Sequence, residues 1–248
     1  MIIDPAVTND LFTEALDGQR NKVQTFLKNR PDFSVLDVGG AMGSWLDEFV
    51  TAYLDCNASE YLAGKSKAQL FDGNISDEEG WESILAYVAE HGKFDFASCT
   101  QTLEDIRNPS LVLKMLPKVA LQGYIDVPSK FLELKTGNEM PCDEDRVKWG
   151  LKGLIQGYTG HRWIFNMLED GLLELYPKLP FTEHLTGLEK MTEAIEVKQD
   201  GKTIFPKYML CFRWEGSIDF KIVNDDFIGP NPYEVYRYYR EGLNRGME

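Results

Sequence analysis

A glycine-rich segment directly after a short apolar run is the part of the sequence whose spacing most clearly suggests chemistry. The run at residues 35–38 contains Asp37, and residues 39–43 contain three glycines. This order predicts a buried strand that turns sharply into a helix near Ser44. Glycine tolerates unusual dihedrals and has no side chain, so such a turn lets bare backbone approach a ligand closely. The segment therefore predicts a ligand-binding turn.

The spacing of the glycines limits which ligand this turn can bind. A dinucleotide-binding loop needs G-x-G-x-x-G, but those positions hold Gly39, Ala41 and Ser44, which disfavours a nicotinamide oxidoreductase. The acid comes first instead, in the order D-x-G-x-A-x-G from Asp37 to Gly43. That order resembles the first motif of class I S-adenosylmethionine-dependent methyltransferases, D/E-x-G-x-G-x-G, with Ala41 in place of the middle glycine.

Strands alternate with helices through the first half of the chain. The pattern predicts a helix over 8–30, strands at 35–38, 51–55, 68–75, 94–99 and 123–127, and helices over 81–90 and after Asn108-Pro109. This alternation implies a parallel sheet with helices on both faces. Residues 129–160 have no clear period, which predicts a long loop with short helical pieces, and two hairpins follow, at 163–176 and at 208–223.

A second motif extends the resemblance. Residues 102–109, Thr-Leu-Glu-Asp-Ile-Arg-Asn-Pro, are similar to the xLEHxxxP segment of the type 11 small-molecule methyltransferases. Asp105 stands where histidine is usual, so a role of that histidine does not carry over. The resemblance covers residues 8–128 and about 205–224. It implies one α/β domain over 1–248 with a Rossmann-like, seven-stranded, mostly parallel sheet, an antiparallel C-terminal hairpin, and an insertion at 129–204 that covers the acceptor pocket.

The resemblance also implies the cofactor, S-adenosyl-L-methionine, and its contacts. The glycine turn would pass beneath the methionine part, and Asp55, which ends the second strand 18 residues after Asp37, would accept the ribose hydroxyls. The expected contacts are Asp37, Gly39, Gly40, Ala41, Gly43, Asp55, Asn74, Ile75, Thr100 and Gln101. Three have simpler alternatives: Asp37 as a helix cap, Asp55 as a surface acid, and Asn74 as a turn residue.

His161 is the candidate catalytic residue. Methyl transfer is an in-line displacement, and a hydroxyl or protonated amine nucleophile needs a base, for which a neutral imidazole is suited near pH 7. Residues near the insertion are the expected substrate contacts: Ser129, Tyr158, Arg162 and Trp163. A structural hydrogen bond for His161 and hairpin packing for its neighbours are the alternatives. Arg162 hints at an anionic acceptor, and O- or N-methylation of a glycan or small metabolite is the first hypothesis.

Composition excludes several other classes. The 248 residues are 43% hydrophobic with a net charge of −14, which disfavours a nucleic-acid partner. The four cysteines lack C-x-x-C spacing and there are three histidines, which disfavours a zinc cluster or a disulfide framework. No signal peptide or membrane-spanning stretch is recognised, so we expect a cytoplasmic protein with no membrane partner.

Three alternatives stay open. A catalytically inactive methyltransferase-like domain could bind S-adenosylmethionine or S-adenosylhomocysteine as a sensor or interaction module. A metal-assisted O-methyltransferase would need a carboxylate cluster, for which Asp126, Asp225 and Asp226 are conceivable, although their spacing does not support it and we expect no metal. The tyrosine-rich tail leaves a homodimer open.

Overall fold

The computed structural model describes residues 16–64, 67–134, 157–158, 160–168, 170–179, 197–199, 202–204 and 209–223. The helices are α1 (Leu16–Lys28), α2 (Ala58–Leu62), α3 (Glu82–His91), α4 (Pro109–Val119) and α5 (Lys130–Glu133), with a 3-10 helix at Glu78–Trp81. The strands are β1 (Val35–Val38), β2 (Ala52–Asp55), β3 (Gln69–Asp72), β4 (Phe96–Thr100), β5 (Gln122–Pro128), β6 (Trp163–Met167), β7 (Leu173–Pro177), β8 (Val197–Gln199), β9 (Lys202–Ile204), β10 (Met209–Glu215) and β11 (Phe220–Ile222).

A six-stranded sheet forms the centre of the described structure. Its order is β10-β5-β4-β1-β2-β3, and every neighbouring pair is parallel except β10 with β5. In the register, Leu36 lies opposite Ala52 on one side and Ala97 on the other. The carboxyl ends of β1, β2, β4 and β5 therefore share one edge, which is where ligands bind in open parallel sheets.

Short apolar strands are buried on both faces of this sheet, as expected for parallel strands covered by helices. All four residues of β1 are buried. Leu36 packs on one face in the large cluster that includes α4, whereas Val35 packs on the other face with Val23 and Leu27 of α1. The predicted mixed α/β architecture is confirmed.

The predicted helix near Ser44 is wrong. Residues 41–49 form consecutive turns, closed by bonds such as Gly43 N to Gly40 O at 3.0 Å and Phe49 N to Leu46 O at 2.7 Å. The Ser44 hydroxyl donates to the Asp37 carboxylate and accepts from Leu46 N. The Ser44 side chain thus competes with the backbone for hydrogen bonds. The segment forms turns that are bonded to the Asp37 carboxylate, and it does not continue as a helix.

A separate three-stranded sheet, in the order β11-β7-β6, contains the first predicted hairpin. β6 pairs antiparallel with β7, and the intervening turn has Gly171 at φ +85°, so this hairpin prediction is confirmed. Residues of both strands, such as Phe165 and Leu175, join the core on the α4 side of the central sheet.

The second predicted hairpin is wrong in its pairing. β10 joins β5, whereas β11 runs parallel to β7, so the described central sheet has six strands instead of seven. The chain turns away where Gly216 N donates to Leu121 O at 3.0 Å, and Leu173 N then donates to Asp219 O at 3.0 Å. The bounds of the insertion and the single-domain plan stay predictions. None of the described helices is long and apolar enough to cross a bilayer.

Replacing Asn108 tests the start of α4. Its side chain accepts a hydrogen bond from Leu111 N at 3.2 Å, and Pro109 occupies the first turn. We expect Asn108→Ala to lower the free energy of unfolding by about 1 kcal/mol, and Asn108→Ser to keep most of it because serine also caps helices. Urea denaturation measures both variants, and equal stabilities for the two would contradict the cap.

Candidate active site

The turn after β1 is built so that only glycine fits at two positions. Gly39 has φ +83°, donates its N–H to Leu54 O at 2.9 Å, and would place a Cβ 2.5 Å from Thr102 Cγ2. A Cβ on Gly40 would lie 2.3 Å from Asp37 Oδ1. The two glycines therefore let the turn pass between Thr102 and the Asp37 carboxylate.

Asp37 lies buried beneath this turn. One carboxylate oxygen accepts from the Ser44 hydroxyl, and among the described residues the other, Oδ1, has no hydrogen-bond partner. Burial raises the pKa of Asp37 to about 6, and the hydroxyls of Ser44 and Ser98 act in the opposite direction. Asp37 thus orders the turn through Ser44.

Asp55 is attached to the same turn from the end of β2. Its Oδ2 accepts from Ala41 N at 3.0 Å. Burial raises the pKa of Asp55, while backbone hydrogen bonds from Ala41 and Cys56 counteract that effect. The structure therefore brings the glycine turn and the expected ribose-binding acid together. The side chain of Met42, which follows Ala41 in the turn, is largely exposed.

Asn74 and Ile75 already have partners within the protein. Asn74 Oδ1 accepts from Ser76 N at 3.0 Å, and its Nδ2 donates to Asp77 Oδ2 at 2.7 Å, which is the turn chemistry weighed as the alternative. Ile75 is buried in the core, and its carbonyl accepts from Trp81 Nε1 at 3.0 Å. Contact of either side chain with adenine stays a prediction.

Thr100 and Gln101 lie where β4 ends. Thr100 Oγ1 accepts from Trp45 Nε1 at 3.2 Å. Gln101 has φ +49°, a left-handed conformation that is uncommon outside glycine, and its Nε2 donates to Asp126 Oδ1 at 3.2 Å. Such backbone strain is characteristic of functional sites.

Arg20 of α1 reaches the same edge and was not predicted. Its Nε and Nη2 donate to the two carboxylate oxygens of buried Asp126, at 2.9 and 3.1 Å. The guanidinium also lies over the Trp45 ring, 5.1 Å from its centroid. The partner is 106 residues away, so no local sequence signal could have identified it.

His161 lies within a cluster of charged groups. Its Nδ1 is 2.5 Å from Oε1 of the buried Glu133, and its Nε2 is 3.8 Å from Asp105 Oδ1. The imidazole stacks on Tyr158 with ring centroids 4.8 Å apart, and 15% of the His161 side chain is exposed. The position usually held by histidine in the second motif thus has an aspartate that faces a different histidine.

Lys178 completes this cluster and, like Glu133, was missed from the sequence. Lys178 Nζ donates to Glu133 Oε2 at 2.7 Å and to Tyr158 O at 2.5 Å. Its side chain is 1% exposed and that of Glu133 is 0% exposed. Glu133 and Lys178 are 45 residues apart in the chain, so no local sequence pattern identifies them as a buried charge pair.

The remaining candidate substrate contacts have structural partners. Buried Ser129 caps α5, its Oγ accepting from Phe131 N at 3.2 Å. Trp163 Nε1 donates to Ile106 O at 3.0 Å, which matches the packing alternative. Arg162 donates its backbone N–H to Glu104 O at 2.6 Å while its side chain is exposed. These bonds join the start of β6 to the loop after β4.

Glu104 in that loop is a buried carboxyl group. It is 1% exposed, and its Oε2 has no hydrogen-bond partner among the described residues. Burial raises the pKa of Glu104 to about 8, reinforced by the nearby charges of Asp105, Asp126 and Glu133. The group is therefore largely protonated at neutral pH.

Of the carboxylates considered for a metal, Asp126 lies in the part of the chain that the structure describes. Asp126 is bound to Arg20 and Gln101. Asp225 and Asp226 lie outside the described residues. Among the described residues, no group of three or more histidine, cysteine, aspartate or glutamate side chains could hold a metal ion.

A family model described as a methyltransferase domain matches residues 13–141, slightly more than half of the chain. The chain belongs to this methyltransferase family. The prediction of a class I S-adenosylmethionine-dependent methyltransferase is thereby confirmed. The matched segment contains the glycine turn, Asp55 and the loop after β4, and it ends before His161.

Several solved structures are similar to this methyltransferase at low identity. A methyltransferase from Clostridium acetobutylicum shares 12% identity over 80% of this chain and 90% of its own, with a TM-score of 0.41. A possible histamine N-methyltransferase from Thermotoga maritima shares 13% over 81% and 89%, with a TM-score of 0.39. The N-terminal domain of EvdMO1, crystallised with S-adenosylhomocysteine, shares 16% over 50% of this chain and 54% of its own, with a TM-score of 0.34. No curated protein matches the chain.

Stability should fall with pH because of Glu104. The folded-state pKa, about 8, exceeds the unfolded value of about 4.3, so the folded state binds more protons between these values. Stability is then greatest below about pH 4 and is lost as pH rises through 8, at no more than about 1.4 kcal/mol per pH unit. We expect Glu104→Gln to remove this part of the pH dependence.

Thermal and urea denaturation between pH 5 and pH 9 measure the difference between the wild type and the variant. Glu79→Gln makes the same substitution at an exposed position of the 3-10 helix and serves as the control. Parallel stability curves for the wild type and Glu104→Gln would show that this carboxyl ionises normally.

Proposed function

We propose that this methyltransferase transfers a methyl group to a hydroxyl or amine of a small molecule or glycan, with the cofactor bound at the glycine turn and His161 as general base. The observation that carries the proposal is the 2.6 Å hydrogen bond from Arg162 N to Glu104 O. It ties the segment of His161 to the loop after β4, at the sheet edge that also holds Asp37 and Asp55.

The residues at the glycine turn fit S-adenosylmethionine. A Cβ at Gly39 or Gly40 would clash with Thr102 or Asp37, whereas a Cβ at Gly43 would meet no atom within 4 Å, so the bare backbone with open space beside it is that of Gly43. Asp37 is buried beneath the turn and orders it through Ser44, so its contribution to cofactor binding is to hold the turn in place. Asp55, joined to Ala41 N, is suited to a ribose diol. When bound, the cofactor supplies an electrophilic methyl group on its sulfonium.

The chemistry required of the protein is alignment and proton removal. The acceptor oxygen or nitrogen forms a bond to the methyl carbon while the carbon–sulfur bond breaks and its electron pair stays on sulfur. His161 Nε2 takes the proton that the acceptor loses. Glu133 accepts a hydrogen bond from Nδ1–H, which leaves the Nε2 lone pair available for that proton.

The charges around His161 favour a neutral or amine-bearing acceptor. Asp105 lies 3.8 Å from His161 Nε2 and would repel an anionic group there. The exposed Arg162 is the feature that supports an anionic acceptor, as first suggested from the sequence. The substrate panel must therefore contain neutral sugars, carboxylated sugars and small amines.

Calorimetric titration with S-adenosylhomocysteine tests the cofactor site. We expect micromolar binding to the wild type, none of NAD, and a loss of roughly 10- to 100-fold in Asp55→Ala, because a charged hydrogen-bond partner is removed. Asp32→Ala, at an exposed site before the amino end of β1, should bind like the wild type. Undiminished binding in Asp55→Ala would remove the ribose assignment.

Transfer of a labelled methyl group from S-adenosylmethionine to the panel tests catalysis. A positioned base contributes about 100-fold or more, so His161→Gln should lower turnover by that factor with unchanged affinity for S-adenosylhomocysteine. His91→Gln, at the exposed end of α3, is the matched control. Normal turnover in His161→Gln would exclude the base, and cofactor binding without transfer to any acceptor would favour the sensor alternative.

A further inference from the structure

We propose that Glu133 and Lys178 act together as positioning residues for His161: Glu133 fixes the tautomer and orientation of the imidazole, and Lys178 limits how strongly Glu133 holds a proton on it. This inference deepens the proposed function and rests on His161 as the base. It assigns roles to two residues that the sequence did not identify.

Glu133 uses its two oxygens for two different cations or donors. Oε1 lies 2.5 Å from His161 Nδ1, and Oε2 lies 2.7 Å from Lys178 Nζ. Gly157, at φ +65°, passes so close to the carboxylate that a Cβ there would lie 2.8 Å from Glu133 Oε2. The carboxylate is therefore held in one place from three sides, which fixes the imidazole that donates to it.

Lys178 also supports the ring that stacks on His161. Its Nζ donates to Tyr158 O at 2.5 Å, and the Tyr158 ring packs on the imidazole. A lysine is rarely buried to this degree unless it is paired, and here its two hydrogen-bond partners, Glu133 and Tyr158, both contact His161. One side chain thus connects the two groups that orient the base.

The electrostatic argument concerns which form of His161 is stable. An ionised carboxylate in direct contact favours imidazolium, and a histidine that already holds the proton cannot act as a base. The Lys178 charge on the opposite oxygen offsets part of this attraction. Without Lys178, the full charge of Glu133 would act on the imidazolium.

Other charged groups lie around His161 in the part of the chain that the structure describes. Asp105 favours the imidazolium from the loop after β4, Glu104 in the same loop is largely protonated at neutral pH, and Arg107 there pairs with Asp77. Lys130 of α5 lies over the Phe131 ring, and Tyr158 and Arg162 are beside His161 in sequence. Lys178 forms the ion pair with Glu133 on the oxygen opposite His161.

A second lysine–glutamate ion pair, which lies in the three-stranded sheet, provides a control. Lys221 Nζ lies 2.9 Å from Oε1 of the buried Glu174, whose Oε2 accepts from Asn166 and Tyr176. This pair resembles Lys178–Glu133 in chemistry, but the described side-chain contacts of His161 are with Glu133, Asp105 and Tyr158. Its loss should affect stability without affecting the histidine.

Nuclear magnetic resonance titration of the three histidine rings in the full chain tests the proposal without cofactor or acceptor. His161→Gln assigns the resonance. Since a neighbouring charge shifts a pKa by about one unit or more, we expect the His161 midpoint to rise by about that amount in Lys178→Met and to fall in Glu133→Gln. Lys178→Arg and Lys221→Met should leave it unchanged.

The tautomer in the wild type gives a reading that does not depend on any variant folding. Nitrogen-15 shifts of neutral His161 should show the proton on Nδ1. A proton on Nε2, or equal midpoints in Lys178→Met and the wild type, would overturn the proposal. Because no methyl transfer is measured, these results are separate from failure of the proposed catalytic function, which the acceptor panel reads independently.

Discussion

The burial of carboxylates at one edge of the central sheet is the constraint on which the candidate site depends. A charge removed from water must be paired or hydrogen-bonded. Asp37 accepts a hydrogen bond from the Ser44 hydroxyl in the following turn, and Asp126 pairs with the guanidinium of Arg20 in α1. Glu133 contacts His161 and Lys178. Each of these acids thereby holds another segment of the chain at the same edge of the sheet. Glu104 is the exception, because burial leaves it largely protonated.

These pairs organise the site more than they stabilise the fold. Replacing a buried ion pair by apolar residues is often neutral, whereas removing one partner costs about 3–5 kcal/mol because the other charge stays buried. The Arg20–Asp126 pair thus holds α1 in its position near Trp45 and Gln101. The Glu133–Lys178 pair likewise keeps the segment of His161 against the loop after β4.

The site has two halves of different origin. The half assigned to the cofactor is formed by neighbouring strand ends, and its residues lie within the segment that defines the methyltransferase family. The half assigned to the acceptor is formed by α5, the segment before β6, and the end of β7, and most of it lies beyond that segment. We therefore expect the residues that distinguish this chain from other family members to lie in the acceptor half, as His161 and Lys178 do.

The sequence by itself determined the alternation of strands and helices, the glycine turn, the Asn108 cap and the β6–β7 hairpin. Each of these follows from local rules: apolar periodicity, the dihedral freedom of glycine, and hydrogen bonds between residues a few positions apart. The same rules failed at Ser44, where a buried carboxylate took the hydroxyl, and at β11, whose partner lies in another sheet.

Only the tertiary structure decided which charged side chains meet. Arg20 and Asp126 are 106 residues apart, Lys178 and Glu133 are 45 apart, and His161 and Glu133 are 28 apart. Neither periodicity nor spacing encodes such pairs, because their contact is produced by the packing of α1 and the β6–β7 hairpin against the sheet. The residues proposed for the cofactor could therefore be predicted from the sequence, whereas the partners of His161 could not.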